Sequence, residues 1–194
     1  MRRTYRDVLR EIAYDNHGYV TTADAVRTGV PAVELPKLTA RGGLDHVGYG
    51  IYRMSDIPPT DDDQFAEATL RAGDDAYLRG ESVLALLGLG DVNPTKITVG
   101  TGRRVRRTMP AYMKVTKGQS GTKVTRYRGI RAQQLSEALV ECLGRVPSTR
   151  LLDAAVEARA EGLLTTAEWN RVRKELAAWV MTPRLGILRP STRD

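Results

Sequence analysis

The sequence predicts an α+β chain: an N-terminal winged helix-turn-helix, then a larger mixed α/β domain with a small sheet and several C-terminal helices. Three observations predict it. Apolar residues recur at helical spacing before residue 41, and a glycine-centred, strand-like segment follows at 44–54. An acidic, proline-punctuated stretch, Ser55-Asp56-Ile57-Pro58-Pro59-Thr60-Asp61-Asp62-Asp63, then interrupts the apolar pattern. Beyond it, β-prone and helical stretches mix. The organisation expected is therefore a first domain over 1–56, a linker over 57–63, a second domain over 64–180 and a basic tail over 181–194.

Tyr5, Val8, Leu9, Ile12 and Ala13 fall at three-and-four spacing, which predicts a helix from about Thr4 to Asn16, stopped by Asn16-His17-Gly18. Tyr19-Val20 reads as a short extended piece. Thr21 or Thr22 caps a second helix, with Thr21 and Asp24 at capping-box spacing, Ala23 and Val26 turned inward, and Gly29 in the turn after it. A third helix is expected over 31–41, with Val30, Leu35 and Leu38 toward the core. Pro36 distorts that helix unless it starts late enough to hold the proline in its first turn. Gly42-Gly43 ends it. Residues 44–47 and 51–54 then read as strands around Gly48-Tyr49-Gly50, a hairpin wing.

In such a fold the third helix enters the major groove and the wing touches the DNA backbone or minor groove. The residues placed to do so are Ala32, Val33, Glu34, Lys37 and Arg41 on the third helix and Thr22 at the start of the second. Tyr49 and Arg53 serve the wing, and Arg2, Arg3 and Arg6 form an arm. Lys37 and Arg41 share a helix face, within reach of phosphate or a guanine edge. Residues 1–54 hold eight basic and six acidic residues, a modest excess, so the same fold used only for protein contacts is the competing reading.

Past the linker, the pattern predicts a helix over 64–72, a short strand near Tyr77-Leu78 and a helix over 82–87 capped by Ser82. Strands are expected over 96–99, 112–116 and 123–127, separated by glycine turns at 100–102 and 118–121. Three helices close the domain. The first carries Leu135, Ala138, Leu139, Cys142 and Leu143 on one face, which makes Cys142 a core residue. The second runs from a Ser148 cap through Leu151, Leu152, Ala155 and Val156. The third opens on a capping box, Thr165 and Glu168, and turns Trp169, Val172, Leu176 and Val180 inward.

The net charge of +7 favours an anionic partner, and its distribution is uneven. Residues 55–94 hold nine acidic and two basic residues, whereas residues 95–135 hold eleven basic and none acidic. In that basic block Arg103, Arg104, Arg106 and Arg107 flank Val105, and Lys114, Lys117, Lys123, Arg126, Arg128 and Arg131 extend the field. Clustered arginines make bidentate contacts with phosphate or carboxylate.

No run reaches the ~20 apolar residues of a membrane span. The basic N-terminus lacks an apolar signal core, and one cysteine leaves no internal disulfide, so a cytoplasmic chain with no membrane partner is expected. The two histidines have no carboxylate or cysteine at ligand spacing, so no metal is expected. There is no nucleophile elbow, phosphate loop or kinase signature, and neither a catalytic residue nor a cofactor is expected. One enzymatic reading stays open. Gly100-Thr101-Gly102-Arg103-Arg104, with a carboxylate from Asp74, Asp75 or Asp91, has the parts of a nucleotide-phosphate site, against the commoner glycine turn.

Several runs resemble the AbiEi family, the antitoxins of type IV toxin–antitoxin systems. In the first domain they are Gly18-Tyr19-Val20-Thr21-Thr22-Ala23-Asp24-Ala25, Gly29-Val30, Leu35, Leu38, Arg41, Gly43-Leu44 and Gly48-Tyr49-Gly50-Ile51-Tyr52-Arg53. Beyond the linker, Leu78-Arg79-Gly80-Glu81-Ser82-Val83-Leu84-Ala85-Leu86-Leu87-Gly88-Leu89 and Asn93-Pro94, Ile97 and Val99 are similar to the family's next helix and strand. Pro36 departs from the family's usual polar or aromatic residue.

The resemblance implies an N-terminal domain that binds operator DNA at inverted or direct repeats and represses its own operon, with copies associating on paired sites. It implies a C-terminal domain that neutralises a nucleotidyltransferase-like toxin. The basic block then holds DNA backbone beside the wing, docks an acidic surface of the toxin, or is a solvated face balanced by the acidic block. Two alternatives for the whole chain remain: a stand-alone winged-helix regulator, and an atypical phosphotransferase acting on the toxin.

Overall fold

The computed structural model describes residues 3–181; Arg2 of the expected arm and the tail beyond Met181 lie outside the described residues. Helix α1, Tyr5–Tyr14, begins where Thr4 and Asp7 cap each other: each side chain accepts from the other's amide, at 3.2 and 2.9 Å. Its inward face carries Leu9 and Ala13. Strand β1, Tyr19–Thr21, leads into α2, Thr22–Arg27, which is capped by a reciprocal Thr21–Asp24 pair. Ala25 is the buried residue of α2, while Ala23 and Val26 are exposed, contrary to the expected facing. Thr21 is the N-cap and half-buried, and Ala25, four residues on, shares its side of the helix.

Helix α3, Glu34–Ala40, begins three residues later than expected. Pro36 is therefore its third residue, where the missing amide has no partner inside a helix in any case. We expect Pro36→Ala to change stability by less than about 1 kcal/mol in denaturant titration, far from the ~3 kcal/mol of a mid-helix proline. Strands β2, Leu44–Gly48, and β3, Ile51–Met54, form a hairpin turning at Tyr49-Gly50. They complete an antiparallel sheet of order β1-β3-β2. Leu9, Ala13, Val20, Ala25, Val30, Leu35, Leu44, Met54 and Ile57 are its core.

The second sheet is mixed, with order β6-β5-β4-β8-β7. Its strands are β4 (Tyr77–Leu78), β5 (Ile97–Thr101), β6 (Met113–Lys117), β7 (Val124–Tyr127) and β8 (Ile130–Gln133). Around it pack α4 (Asp63–Ala72), α5 (Glu81–Leu87), α6 (Leu135–Glu141), α7 (Ser148–Ala160) and α8 (Thr166–Met181). The chain is thus a mixed α+β protein with two sheets. No helix among the described residues is long and apolar enough to cross a membrane.

Several expectations for this part need correction. Strand β8 was not anticipated. It follows β7 through Arg128-Gly129, both at positive φ, a two-residue turn of the type more often made by Asn-Gly. Ser82 does not cap α5; it is buried, and its hydroxyl accepts from the Thr98 amide at 2.7 Å, tying α5 to β5. Pro147, not Ser148, precedes α7. The buried face of α7 is Leu151, Ala154, Ala155 and Ala158, which leaves Leu152 and Val156 exposed. Val180 is likewise exposed, while Val172 and Leu176 are buried. Cys142 is fully buried, and burial pushes its thiol up to about 12.

Residues 57–63 do not run free between the two parts. Ile57 packs in the first core, and Asp63 is already inside α4. Tyr19 and Ile51 of the first sheet belong to the larger core. Glu67 on α4 accepts from the Tyr19 hydroxyl at 3.0 Å, the Tyr112 hydroxyl at 3.1 Å and Arg71 at 2.5 Å. Arg71 also donates to the Val47 carbonyl, and His17 Nε2 to the Arg128 carbonyl at 2.8 Å. A hydrogen-bonded seam thus joins the hairpin to the second sheet.

Candidate nucleic-acid interface

Helix α3 presents an open surface. Pro31, Ala32, Val33, Pro36, Lys37, Ala40 and Arg41 are exposed. Lys37 Nζ lies 2.7 Å from the half-buried Glu34 carboxylate, so one of its two cations is partly neutralised. Arg41 has no ion-pair partner among the described residues. It lines, with Thr4, Tyr5, Arg6 and Leu38, an open groove of about 450 Å³ between the start of α1 and the end of α3. Arg6 is held there by Asp56 at 3.1 Å, and Arg3 pairs with Glu11. Five of the seven exposed residues are apolar, three of them (Pro31, Ala32 and Val33) in the turn that leads into the helix.

The hairpin places its residues unequally. Tyr49, at the tip, is 85% exposed. Thr22 sits beside the hairpin's turn, its amide donating to the Gly50 carbonyl at 2.9 Å. Arg53, expected to serve the wing, points inward instead: its side chain is 16% exposed and donates to the Asp63 carboxylate at 3.0 Å. Side chains alternate along β3, so Arg53 faces the same way as Ile51, toward the second part, where Asp63 at the start of α4 pairs with it.

The basic block does not form one field. Strands β6 and β7 are opposite edges of the sheet, so Lys114 and Lys117 stand far in strand order from Lys123, Arg126 and Arg128. Arg128 pairs with Asp62 at 3.1 Å, and Arg126 donates to the Gly129 carbonyl at 2.6 Å. Lys114 lines a small polar pocket with Arg79, Lys96, Glu141 and Arg145. The four clustered arginines stay together. Strands β5 and β6 are parallel neighbours, so the chain must cross over between them, and residues 102–112 are that crossing rather than a hairpin.

This crossing lies against the first unit. The Arg107 guanidinium sits over the Tyr49 ring, 5.5 Å from its centroid. Arg103, Arg104 and Arg107 line, with Val115 and Lys117, an open concavity of about 470 Å³. Gly102 also lines it, and the Asp75 carboxylate, outside the lining, accepts from the Thr101 hydroxyl and the Gly102 amide, both at 2.9 Å. Burial alone would raise the Asp75 carboxyl; these two bonds and the nearby Arg103 charge outweigh it and hold the carboxyl below its ordinary range. The Gly102 amide, counted as a phosphate donor in the enzymatic reading, is therefore already occupied by the protein's own carboxylate. No group of three or more candidate metal-ligating side chains is found among the described residues.

Sequence reasoning missed two residues here: Asp75 as the anchor of the arginine segment, and Glu67 as the hub under the hairpin. Asp75 takes its partners from Thr101 and Gly102, and Glu67 takes Tyr19 and Tyr112 besides its helical neighbour Arg71, so most of these partners lie far along the chain.

No family model matches the chain, and no curated protein matches it. Among solved structures, it is similar to the crystal structure of the RV2827C protein from Mycobacterium tuberculosis. The identity is 18% over 92% of this chain and 78% of that chain, with a TM-score of 0.43.

Proposed function

We propose that this chain is a DNA-binding antitoxin: a winged helix-turn-helix repressor of its own operon whose second domain neutralises a nucleotidyltransferase-like toxin in the cytoplasm. The observation that carries the DNA half is the order α1-β1-α2-α3-β2-β3, with α3 uncovered and the hairpin tip Tyr49 in solvent. That order supports α3 as the recognition helix and β2–β3 as the wing. The exposed apolar residues at and just before the start of α3, Ala32, Val33 and Pro36, suit contacts with thymine methyl groups, with Lys37 and Arg41 left for phosphate or guanine. Symmetric pairs of weak half-sites fit repeats bound by two copies. The antitoxin half rests on the resemblance of residues 18–54 and 78–99 to AbiEi proteins.

The test uses the full chain and the duplex upstream of its gene. Lys37→Ala and Arg41→Ala are each expected to weaken binding about tenfold, the order of one lost base or phosphate contact. Equal affinity of the unaltered protein for that duplex and a scrambled one, with both variants unimpaired, removes the repressor reading. Co-expression with a neighbouring nucleotidyltransferase-like protein tests the other half: growth is restored, or the antitoxin reading falls.

A further inference from the structure

We propose that the arginine segment between β5 and β6 is a second phosphate-binding element, gripping the DNA backbone that the wing meets. This rests on reading the first unit as a duplex binder, and it assigns part of the binding to the second domain. The first unit is poorly equipped to hold a polyanion alone. Its basic excess is two charges, Lys37 is partly neutralised by Glu34, and Arg53 is turned inward. Non-specific DNA affinity comes almost wholly from cations set against phosphates. The missing cations must come from elsewhere on the molecule.

The crossing supplies them beside the wing. Arg107 rests on the Tyr49 ring at the hairpin tip, so segment and wing form one continuous surface. Arg104 and Arg106 are exposed and have no ion-pair partner among the described residues. The segment is not a loose arm, because Asp75 fixes its start through Thr101 and Gly102 and lies 3.8 Å from Arg103. Lys117, at the end of β6, adds a cation to the lining of the same concavity. A shallow basic surface with its backbone amide already taken suits a phosphodiester strand better than a free nucleotide, which needs enclosure and free amides.

The experiment is a salt titration of duplex affinity with the full chain. Arg104→Ala/Arg106→Ala is compared with a charge-matched pair on α8, Arg173→Ala/Lys174→Ala. The expected result for the first variant is a loss of roughly tenfold or more in affinity. Its plot of log affinity against log salt should be shallower by about 2, since each phosphate contact contributes about 0.9. Its preference for the upstream duplex over a scrambled one is unchanged, because phosphate contacts carry no sequence information. The α8 variant keeps the original slope.

An unchanged slope in Arg104→Ala/Arg106→Ala, with Lys37→Ala and Arg41→Ala still impaired, overturns this inference alone and leaves the arginines to an acidic protein surface. An equal fall in the α8 variant overturns it as well, by making the effect one of overall charge. Failure of the unaltered protein to bind duplex removes both readings together.

Discussion

Methionine in place of Arg79 is expected to lower the unfolding free energy by about 3 kcal/mol, and the melting temperature by roughly 6–12 °C for a chain of this size. Arg79 and Glu141 form a mostly buried fork, with Nε 3.0 Å from Oε1 and Nη2 2.9 Å from Oε2. The guanidinium also donates to the Lys117 carbonyl at 3.3 Å, and Gln133 donates to Glu141 at 3.1 Å. One ion pair thus fastens the end of β4 to β6, β8 and α6. Removing Arg79 leaves the carboxylate in a poorly solvated place with only Gln133 and the more exposed Arg145 as partners, which costs more than the pair itself contributes. Arg79→Met/Glu141→Leu should therefore recover most of the loss.

The same pair predicts a pH dependence with a definite sign. Burial alone would raise the Glu141 carboxyl; bonds from Arg79, its charge, Gln133 and Arg145 overcome that and hold it below its ordinary 4.5. A carboxyl depressed on folding stabilises above its unfolded value, and that stabilisation is lost as pH falls through the folded value. The gap between the unaltered protein and Arg79→Met should then be wide at pH 7 and narrow well below 4.5. Denaturant titrations at both pH values check it. A gap of equal size would place the cost in the packing of the arginine stem.

How far the sequence foretold this structure depended on whether a signal was local. The Thr21–Asp24 capping box, the helix stop near Gly18 and the hairpin at Tyr49-Gly50 lie within a few neighbouring residues, and all were legible; the Thr4–Asp7 box, equally local, was missed. The start of α3 was legible only as a condition on Pro36, since the helix was expected from residue 31 and begins at residue 34. The facing of α2 was not, because a helix of six residues holds too few apolar positions to fix its phase. Strand β8 is four residues long with one turn signal, Arg-Gly, that many non-hairpin segments share.

The candidate site divides in the same way. Lys37, Arg41 and Tyr49 are exposed as expected because their elements were legible. The scattering of the basic block was hidden because strand order, not sequence distance, sets β6 and β7 on opposite edges. The acidic stretch looked like a tether because two of its partners, Arg6 and Arg128, lie far along the chain, and the third, Arg53, is reached only through the fold of β3.

Arg53→Ala separates the two ways of using that stretch. If Arg53 touched DNA, its loss would leave stability unchanged and weaken binding, with a shallower salt dependence. The geometry predicts the reverse. Arg53 Nη2 reaches Asp63 at 3.0 Å, Nη1 reaches the Met54 carbonyl at 3.3 Å, and the Thr60 hydroxyl donates to the other Asp63 oxygen at 2.6 Å. Both charged side chains are mostly buried, so removing the arginine strands Asp63 at the joint between α4 and the first sheet. We expect a loss of about 3 kcal/mol by denaturant titration, with duplex affinity per folded molecule within about twofold of the original. Asp63→Ala should match it in stability, since it strands the arginine instead. A carboxylate has no attraction for phosphate, so its removal cannot imitate a lost DNA contact. If Arg53→Ala melts normally but binds tenfold more weakly while Asp63→Ala binds normally, Arg53 belongs to the wing after all.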